Sequence, residues 1–355
     1  MQTILLTGAT GLLGIHLLKE ILTNSDSYVH LIVRGKDDDQ ARARVIANWE
    51  QFFGEVDIYP FLNRINVVKG DQTLVDFGID AQSLKLITKS IDEIFHSAAL
   101  TEFREPLEVV RNVNVIGTGN VLCFAEKCSK LKKVHYISTA FVAGDYKGGF
   151  YENDLERKQG FNNTYEQSKY EAELLVRRYQ KLNFNVIVYR PGIVVGQYGN
   201  RLTNNFRMFY QPFRSMAQGL FDAIPIYPHT ILNLIACDTA AKAIFLLSVL
   251  TKQHDVFHIV SPQSVPIMHL MRFAGQFFKY KEPEYLDPNK FDINGLTPVR
   301  RKILEPYVGY FTFKAIFDCT SAYNQLISRG FKYPEINDDF LSRQFNYCRE
   351  CGYIK

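Results

Sequence analysis

The sequence predicts an α/β fold, a doubly wound parallel sheet of the Rossmann type with a smaller, α-rich C-terminal lobe. Short apolar or β-branched runs alternate with helical patterns from residue 3 to about residue 260, and this βαβ rhythm is typical of a parallel sheet covered on both faces. A glycine-rich segment follows the first run. After residue 196 the rhythm stops, which indicates a second lobe over the carboxyl edge of the sheet.

The elements follow from the local patterns in chain order. The first strand is TILLT at 3–7, and the first helix at 11–22 has apolar residues at 13, 17, 18 and 21, the spacing of one helical face. Further strands, with their exit turns, are predicted at 28–34, 65–71, 91–99, 133–144, 185–196 and 256–261. Further helices are predicted at 37–53, 106–128, 162–182, 238–250 and 267–281, and residues 282–355 as short helices and loops.

Composition excludes several classes of protein. The 355 residues are 46% hydrophobic and carry a net charge of +4 without a dense Lys/Arg block, so we expect a globular protein that binds no nucleic acid. The apolar stretch at 231–250 contains Asp238 and Lys242, which argues against a transmembrane segment. Six scattered cysteines and no signal peptide predict a cytoplasmic protein, and the lone Cys348-x-x-Cys351 pair predicts no metal site.

The segment TGATGLLG at 7–14 has the composition of a phosphate-binding turn. Gly8 permits a tight turn, Gly11 lets the backbone approach a pyrophosphate, and Gly14 allows close packing of helix on strand. The helix start then offers free N–H groups to the phosphates. The segment therefore predicts a dinucleotide site, with these residues in contact with it: Gly8, Thr10, Gly11, Leu12, Leu13 and Gly14.

The end of the second strand indicates which dinucleotide is bound. An NAD site usually has a carboxylate there, whereas this chain has Arg34, followed on the next helix by Arg44. A guanidinium suits a 2′-phosphate, so the sequence favours NADPH over NADH. The acids at 37–39 leave an alternative open, since one could reach the ribose or they could cap the helix.

The domain boundaries follow from this assignment. We expect an NADP-binding domain at 1–200, with 230–262 returning to it, and a substrate-binding lobe formed by 201–229 and 263–355. No feature of the sequence predicts an oligomeric state.

The segment YEQSK places Tyr165 and Lys169 on one face of a helix. A nearby ammonium stabilises a phenolate, so we expect Lys169 to lower the pKa of Tyr165 and to hold the nicotinamide ribose. The strand-end segment STAFVAG offers Ser138 or Thr139 to the substrate carbonyl, and only one of them should face the site because side chains alternate along a strand.

These motifs together resemble the extended short-chain dehydrogenase/reductases, and among them the thioester reductase and fatty acyl reductase branch of male-sterility type. The matching segments are TGATGLLG (7–14), LIVRGKDDDQARAR (31–44), VVKGDQT (67–73), HSAALTEFREPLEVVRNVNVIGTGNVL (96–122), YISTAFVAG (136–144), YEQSKYEAE (165–173) and YRPGIVVG (189–196).

The resemblance implies a role for individual residues. Thr139, Tyr165 and Lys169 form the catalytic set. Further cofactor contacts are implied at the adenine (Asp71, Gln72), after the fourth strand (Ala98, Ala99), on the long helix (Asn114) and at the nicotinamide amide (Pro191, Gly192, Ile193). Each of these further residues has a structural alternative, namely a turn, a small packing residue or a buried helix amide.

The function implied is NADPH-dependent reduction of an acyl thioester to an aldehyde, with a second reduction to the alcohol left open. The sequence shows no adenylation or carrier domain, so the acyl group is expected on coenzyme A or on an acyl or peptidyl carrier protein. Arg201, Arg207 and Arg214 are candidates for its phosphates, or form a solvated face, and aromatic residues between 206 and 227 are candidates for an acyl tunnel.

Three alternatives share the fold: a nucleotide-sugar epimerase or dehydratase with tightly bound NAD, a ketone or alcohol dehydrogenase, and a non-catalytic NADPH-binding scaffold.

Overall fold

A parallel sheet of seven strands forms the centre of the structure, a computed structural model that describes residues 1–54, 57–199, 203–206 and 208–355. Arg201 and Arg207 lie outside the described residues. The strands are β1 (Thr3–Thr7), β2 (Tyr28–Val33), β3 (Ile65–Lys69), β4 (Glu93–His96), β5 (Lys133–Ile137), β6 (Lys147–Phe150), β7 (Val186–Pro191), β8 (Ile193–Val195), β9 (Ala223–Pro225), β10 (Ile231–Leu232), β11 (Leu234–Ala236), β12 (Asp255–Ile259), β13 (Val265–Pro266), β14 (Glu284–Leu286) and β15 (Lys314–Phe317).

The helices cover both faces of this sheet and build the C-terminal part. They are α1 (Leu12–Asn24), α2 (Asp38–Phe53), α3 (Ala81–Thr88), α4 (Leu107–Arg111), α5 (Gly117–Glu126), α6 (Thr164–Lys181), α7 (Gln211–Ala217), α8 (Cys237–Leu250), α9 (Ile267–Phe278), α10 (Pro298–Phe311), α11 (Thr320–Ile327) and α12 (Asp338–Glu350). Among the described residues, no helix offers an apolar stretch of the length that crossing a bilayer requires.

The central sheet has the strand order β3-β2-β1-β4-β5-β7-β12, and each neighbouring pair is parallel. This order confirms the predicted doubly wound fold. The chain runs outward in both directions from β1 and β4, so the loops after these two strands diverge and leave a crevice at the carboxyl edge. Ligands of open α/β sheets bind at such a point.

Alternation along the strands divides the sheet between two cores. In β1, Ile4 and Leu6 face a core built with α1, α2, α8 and α11, whereas Leu5 faces a core built with α5 and α6. A third core joins α7, α9, α10 and α12 to the segment after β5. Because α11 packs with the sheet, the C-terminal third contributes to two cores, and the division into two domains stays a prediction.

Several elements differ from the sequence prediction in their bounds. The strand and exit turn predicted together at 133–144 divide after Ile137, because the Thr139 hydroxyl accepts from the N–H of Phe141 and begins a 3₁₀ turn over Ala140–Ala143. The helix predicted at 106–128 contains a π-helical turn, Asn112–Ile116, between α4 and α5. Helix α3 was not predicted, and the three C-terminal helices were predicted only as short helices.

A buried ion pair connects the catalytic-helix candidate α6 to β7. The Arg190 guanidinium donates to Glu173 at 2.6 Å, and both side chains are fully buried. Arg190 also donates to the backbone carbonyls of Glu152 (3.2 Å) and Asp154 (2.6 Å). Burial works to raise the pKa of Glu173, but Arg190 outweighs it and holds this pKa below its usual value.

Removing one partner of this pair should destabilise the protein strongly. Arg190→Met leaves the buried Glu173 carboxylate with only the more distant Arg177, whose Nε lies 3.5 Å away. We expect a loss of about 3 kcal/mol in the free energy of unfolding, measured by denaturant titration. The double variant Arg190→Met/Glu173→Leu should recover much of the loss. Arg111→Met, which breaks the exposed pair with Glu171, is the matched control and should change stability little. Equal losses in the two single variants would contradict this account.

Candidate active site

The turn after β1 brings the backbone very close to the loop after β4. Gly8 has φ +81°, and a Cβ on it would lie 2.5 Å from the amide nitrogen of Ala98. A Cβ on Gly14 would lie 2.0 Å from the carbonyl oxygen of Gly8. Helix α1 begins after Gly11 without a side-chain cap and without an acidic residue in its first turn. Its first N–H groups are therefore available to an anion.

Two connected cavities follow the carboxyl edge of the sheet. The outer cavity measures about 300 Å³ and is lined by Thr7, Gly8, Thr10, Gly11, Ile32, Val33, Arg34, Arg44, Gly70, Asp71, Gln72, Thr73, Ser97, Ala98, Ala99 and Val113. The inner cavity measures about 190 Å³ and is lined by Gly11, Leu12, Leu13, Gly14, Ser97, Ala99, Thr101, Ile137, Ser138, Thr139, Tyr165, Lys169, Pro191, Gly192, Val194, Asn205 and Met208. They share the start of α1 and the loop after β4, so they form one elongated cleft.

Two arginines lie at the far end of the outer cavity. The Arg44 guanidinium donates to the carbonyl oxygen of Arg34, which fixes the loop after β2. The acids beside them have other partners: Asp37 accepts from the N–H of Gln40 as the cap of α2 (2.8 Å), and Asp38 accepts from the N–H of Lys69 (2.6 Å). These contacts favour the capping alternative for Asp37, and Asp38 is held by β3.

Asp71 and Gln72 lie side by side in the outer cavity. Asp71 accepts from the N–H and the hydroxyl of Thr73, both at 2.9 Å, so it shapes its own turn. The Gln72 amide nitrogen donates to the carbonyl of Val113 at 3.0 Å, whereas its Oε1 is buried without a hydrogen-bond partner. Buried polar atoms in proteins are rarely left unpaired, so Gln72 Oε1 is a candidate contact for a ligand.

The inner cavity holds the three catalytic candidates together. The Thr139 hydroxyl hydrogen-bonds the Tyr165 side chain, and it lies 3.4 Å from the carbonyl oxygen of Pro191. Ser138 points the other way, where its hydroxyl donates to Glu173 at 2.6 Å. The partners of the two hydroxyls thus place Thr139, rather than Ser138, beside Tyr165.

The electrostatics of the pair depend mainly on burial. Burial raises the pKa of the Tyr165 phenol, the Thr139 hydrogen bond opposes this, and Glu166 adds to it. Lys169 lines the same cavity. Its Nζ donates to the carbonyl oxygen of Ile137 at 2.8 Å, and burial lowers its own pKa to about 7. Burial is the largest influence on the pKa of both groups, and the expectation that Lys169 lowers the Tyr165 pKa stays a prediction.

Asn114 does not line the cleft, but it hydrogen-bonds the loop after β4 that forms one side of the cleft. It lies on the π-helical turn, which aims its side chain at the loop after β4, where it accepts from the N–H of Leu100 (2.8 Å) and donates to the Leu100 carbonyl (3.0 Å). It also donates to Ser168 of α6 at 2.9 Å. Asn114 therefore ties the long helix to the loop after β4, and its expected contact with the cofactor stays a prediction.

His96 lies beneath the cleft and was not among the residues predicted from the sequence. Its ring nitrogens contact the hydroxyls of Thr7 (2.8 Å) and Thr118 (3.0 Å), and Thr118 donates to the Asn114 carbonyl at 2.6 Å. Burial lowers the pKa of His96 to about 3, with Lys169 acting in the same direction, so the ring is neutral. The motif HSAA contained this histidine, but only the fold shows that it joins β1, β4 and the long helix.

The segment after β7 separates the cleft from a second region. Pro191 and Gly192 line the inner cavity, and a Cβ on Gly192 would lie 2.5 Å from the Asn233 carbonyl oxygen. Ile193 does not line the inner cavity. Its side chain belongs to an adjoining apolar pocket, lined by Phe103, Ile193, Met208, Phe209, Pro212, Phe213, Leu232, Leu270, Met271, Tyr307, Tyr310 and Phe311.

A wider polar cavity of about 560 Å³ opens beside the apolar pocket. It is lined by the segment 100–105 with Met208, Gln211 and Tyr307. It shares Thr101 and Met208 with the inner cavity. Arg214 lines none of these spaces, because its guanidinium lies 4.8 Å above the ring of Tyr353. The polar cavity therefore meets the inner cavity at Thr101 and Met208, away from the outer cavity.

The family described as Male sterility protein, an NAD-binding domain, matches residues 6–244. The chain belongs to this family. The match covers the cleft from the turn after β1 to the segment after β7, and it indicates a nicotinamide cofactor.

Two relatives are reductases that are much longer than this chain. The chain is 26% identical to L-2-aminoadipate reductase of Saccharomyces cerevisiae over 269 residues, 69% of this chain and 18% of that protein. It is 26% identical over 238 residues to Fatty acyl-CoA reductase wat of Drosophila melanogaster, 59% of this chain and 46% of that protein. The alignments thus span less than half the length of either relative.

A solved structure extends the likeness over the whole chain. The terminal R domain from the myxalamid PKS-NRPS biosynthetic pathway superposes with a TM-score of 0.84 at 25% identity, covering 100% of this chain and 92% of that one. The family match and this structure agree on a nicotinamide-binding domain of the extended short-chain dehydrogenase/reductase kind, and the two relatives are reductases.

The cleft residues fit a nicotinamide dinucleotide. The uncapped start of α1 suits a pyrophosphate, and the glycines at 8 and 14 hold the turn where larger residues would clash. The unpaired Gln72 Oε1 lies on the side of the outer cavity and the hydroxyls of Thr139 and Tyr165 lie in the inner one. One end of a bound dinucleotide would therefore lie beside Gln72 in the outer cavity, and the other end would lie beside the hydroxyls of Thr139 and Tyr165 in the inner cavity.

The low pKa of Lys169 is directly measurable. In protein with ¹³C-labelled lysine side chains, one resonance should titrate with a midpoint near pH 7, while the exposed lysines titrate near the usual ~10.4. The resonance should be absent from Lys169→Met, which serves as the assignment control. A spectrum in which every lysine titrates near the usual value would contradict the burial argument.

Proposed function

We propose that this protein is an NADPH-dependent reductase of acyl thioesters, with Tyr165 as the proton donor. The observation that carries the proposal is the inner cavity, where Thr139, Tyr165 and Lys169 meet at the end of a cleft that fits a dinucleotide. The likeness to an R domain and to a fatty acyl-CoA reductase supports a thioester as the substrate.

The residues of this chain divide the work of the reduction. When bound, the reduced nicotinamide supplies a hydride to the thioester carbonyl carbon. The Thr139 hydroxyl donates a hydrogen bond to the oxygen on which charge develops, and the Tyr165 phenol gives that oxygen a proton. The resulting hemithioacetal loses its thiol to leave an aldehyde. A second reduction to the alcohol is compatible with the same residues.

The Tyr165 phenol is protonated at neutral pH, as a proton donor must be before the reaction. Lys169 is anchored to the Ile137 carbonyl beside it. In its ammonium form it has further protons to donate to the ribose hydroxyls of the cofactor. Lys169 therefore positions the cofactor in this proposal.

The second region of the site suits the substrate. The apolar pocket is bounded by aromatic and aliphatic side chains, and the polar cavity leads outward from Thr101 and Met208. An acyl chain fits the former, and the pantetheine arm of coenzyme A or of an acyl or peptidyl carrier protein fits the latter. A carrier is favoured by the R-domain likeness.

The six cysteines are free, which suits the reducing cytoplasm.

The choice of NADPH rests on Arg34 and Arg44 at the far end of the outer cavity. Two guanidinium groups suit a 2′-phosphate, and Asp37 is occupied as a helix cap. The proposal thus assigns the 2′-phosphate to the loop after β2.

Removing the phenol hydroxyl should abolish most of the activity. Tyr165→Phe should lower kcat for NADPH-dependent reduction of acyl-pantetheine thioesters by about 100-fold or more, because the general acid is lost. The Kd for NADPH, measured by fluorescence, should change little. Unchanged turnover in this variant would refute the role of Tyr165. Purified protein that releases bound NAD and reduces no thioester would favour the nucleotide-sugar alternative.

Arg34→Ala tests the cofactor assignment separately. Loss of a charge-assisted hydrogen bond should weaken NADPH binding by roughly 10- to 100-fold and leave NADH binding nearly unchanged. Lys36→Ala, two residues away on the same loop, is the matched control for a general change of surface charge. An Arg34→Ala protein that keeps its preference for NADPH would contradict the assignment.

A further inference from the structure

A buried carboxyl lies next to the proposed proton donor and has no part in the mechanism above. Glu166 is the residue after Tyr165 in α6, and its side chain is fully buried. Its Oε2 accepts from the N–H of Asn162 (3.0 Å) and from the Asn162 amide (2.9 Å), and its Oε1 accepts from the Asn163 amide (3.3 Å). An acidic residue in the first turn of a helix is ordinary, but it is usually solvated.

The same carboxyl reaches across to the C-terminal part of the chain. It hydrogen-bonds Tyr310 of α10. Helix α10 comes close enough because of Gly309, where a Cβ would lie 2.2 Å from the Asn162 side-chain oxygen. The start of α6 and α10 are therefore joined through one buried group.

Tyr310 is also a wall of the apolar pocket. Its ring stacks on Phe103, with centroids 5.5 Å apart and planes at 13°, and Phe103 lies 6.0 Å from the ring of Tyr165. Glu166 thus hydrogen-bonds Tyr310, a residue of the apolar pocket, and is the chain neighbour of Tyr165, the proposed proton donor.

Among the described residues, the hydrogen-bond donors to the Glu166 carboxyl are neutral. The segment before α6 contributes the amides of Asn162 and Asn163, and α10 contributes the Tyr310 phenol. The Tyr165 hydroxyl hydrogen-bonds Thr139 instead, and the Glu166 charge acts on it through space. Burial raises the pKa of Glu166 to about 7, although these hydrogen bonds oppose the rise. The charge on Glu166 in turn raises the pKa of Tyr165.

We propose that Glu166 is a positioning residue that sets how readily Tyr165 gives up its proton and couples that property to Tyr310 in the wall of the acyl pocket. The proposal rests on the proposed function for its consequence in catalysis. With the carboxyl neutral, Tyr165 is the stronger acid and reduction is faster. With the carboxyl charged, the phenol holds its proton more tightly and reduction slows.

The first test does not depend on activity. In protein with tyrosine labelled at ¹³Cζ, the Tyr165 resonance, assigned by its absence from Tyr165→Phe, should shift as Glu166 titrates near pH 7. The shift should vanish in Glu166→Gln, and Tyr310→Phe should move its midpoint upward because the charged carboxyl loses a donor. Glu152→Gln is the matched control, since Glu152 is a second buried carboxyl whose pKa is raised to about 7, and it should leave the Tyr165 shift intact.

The second test measures the catalytic consequence. The kcat of the wild-type protein should fall as the pH rises through 7, and Glu166→Gln should be roughly 3- to 10-fold faster than wild type on the alkaline side, because proton transfer is only partial in the transition state. The titration of Lys169 is common to both proteins, so the ratio of their profiles isolates Glu166.

The outcomes separate the two proposals. A Tyr165 resonance that is insensitive to Glu166→Gln, or equal pH profiles of the two proteins, would overturn the role of Glu166. A loss of kcat by the same factor at every pH would assign Glu166 a structural role and overturn the proposal too. No turnover of any thioester, together with the expected Tyr165 shift, would refute the proposed function and support the coupling.

Discussion

The whole site depends on one close backbone approach, between the turn after β1 and the loop after β4. Only glycine fits at positions 8 and 14, where a Cβ would lie 2.5 Å and 2.0 Å from backbone atoms. This approach brings the start of α1 to the point where the strand order reverses, beside the cleft shared by both cavities. A change that pushed these segments apart would displace the phosphate site and the loop held by Asn114 together.

Burial then decides the chemistry of the inner cavity. Burial makes a phenol hold its proton and makes an ammonium release its proton more readily. The pKa of Tyr165 is therefore raised and that of Lys169 is lowered, which is the opposite of the shifts in an exposed ion pair. The Lys169 amine hydrogen-bonds the backbone carbonyl of Ile137, and the Tyr165 phenol hydrogen-bonds Thr139. The resulting site holds a neutral, protonated Tyr165, which suits a reductase that must deliver a proton to a developing oxyanion.

The sequence predicted the parts of the structure that follow from local pattern. The βαβ alternation, the glycine turn and the Tyr-x-x-x-Lys spacing each depend on near neighbours in the chain, and the fold and family are confirmed. The rise in the Tyr165 pKa was not predicted, because burial comes from residues far away in sequence. The role of His96 was not predicted for the same reason, since its partners Thr7 and Thr118 are 89 and 22 residues away in sequence. The walls of the apolar pocket come from α9 and α10 as well as from the predicted 206–227 segment.

Transfer of a labelled hydride tests the central claim most directly. NADPH carrying deuterium at the transferable C4 position is mixed with the protein and an acyl-pantetheine thioester, and the product is examined by mass spectrometry. We expect one deuterium on the aldehyde carbon and one thiol released for each NADPH consumed. Cofactor oxidation without deuterium in the acyl product would contradict the claim, and so would thiol release without cofactor oxidation.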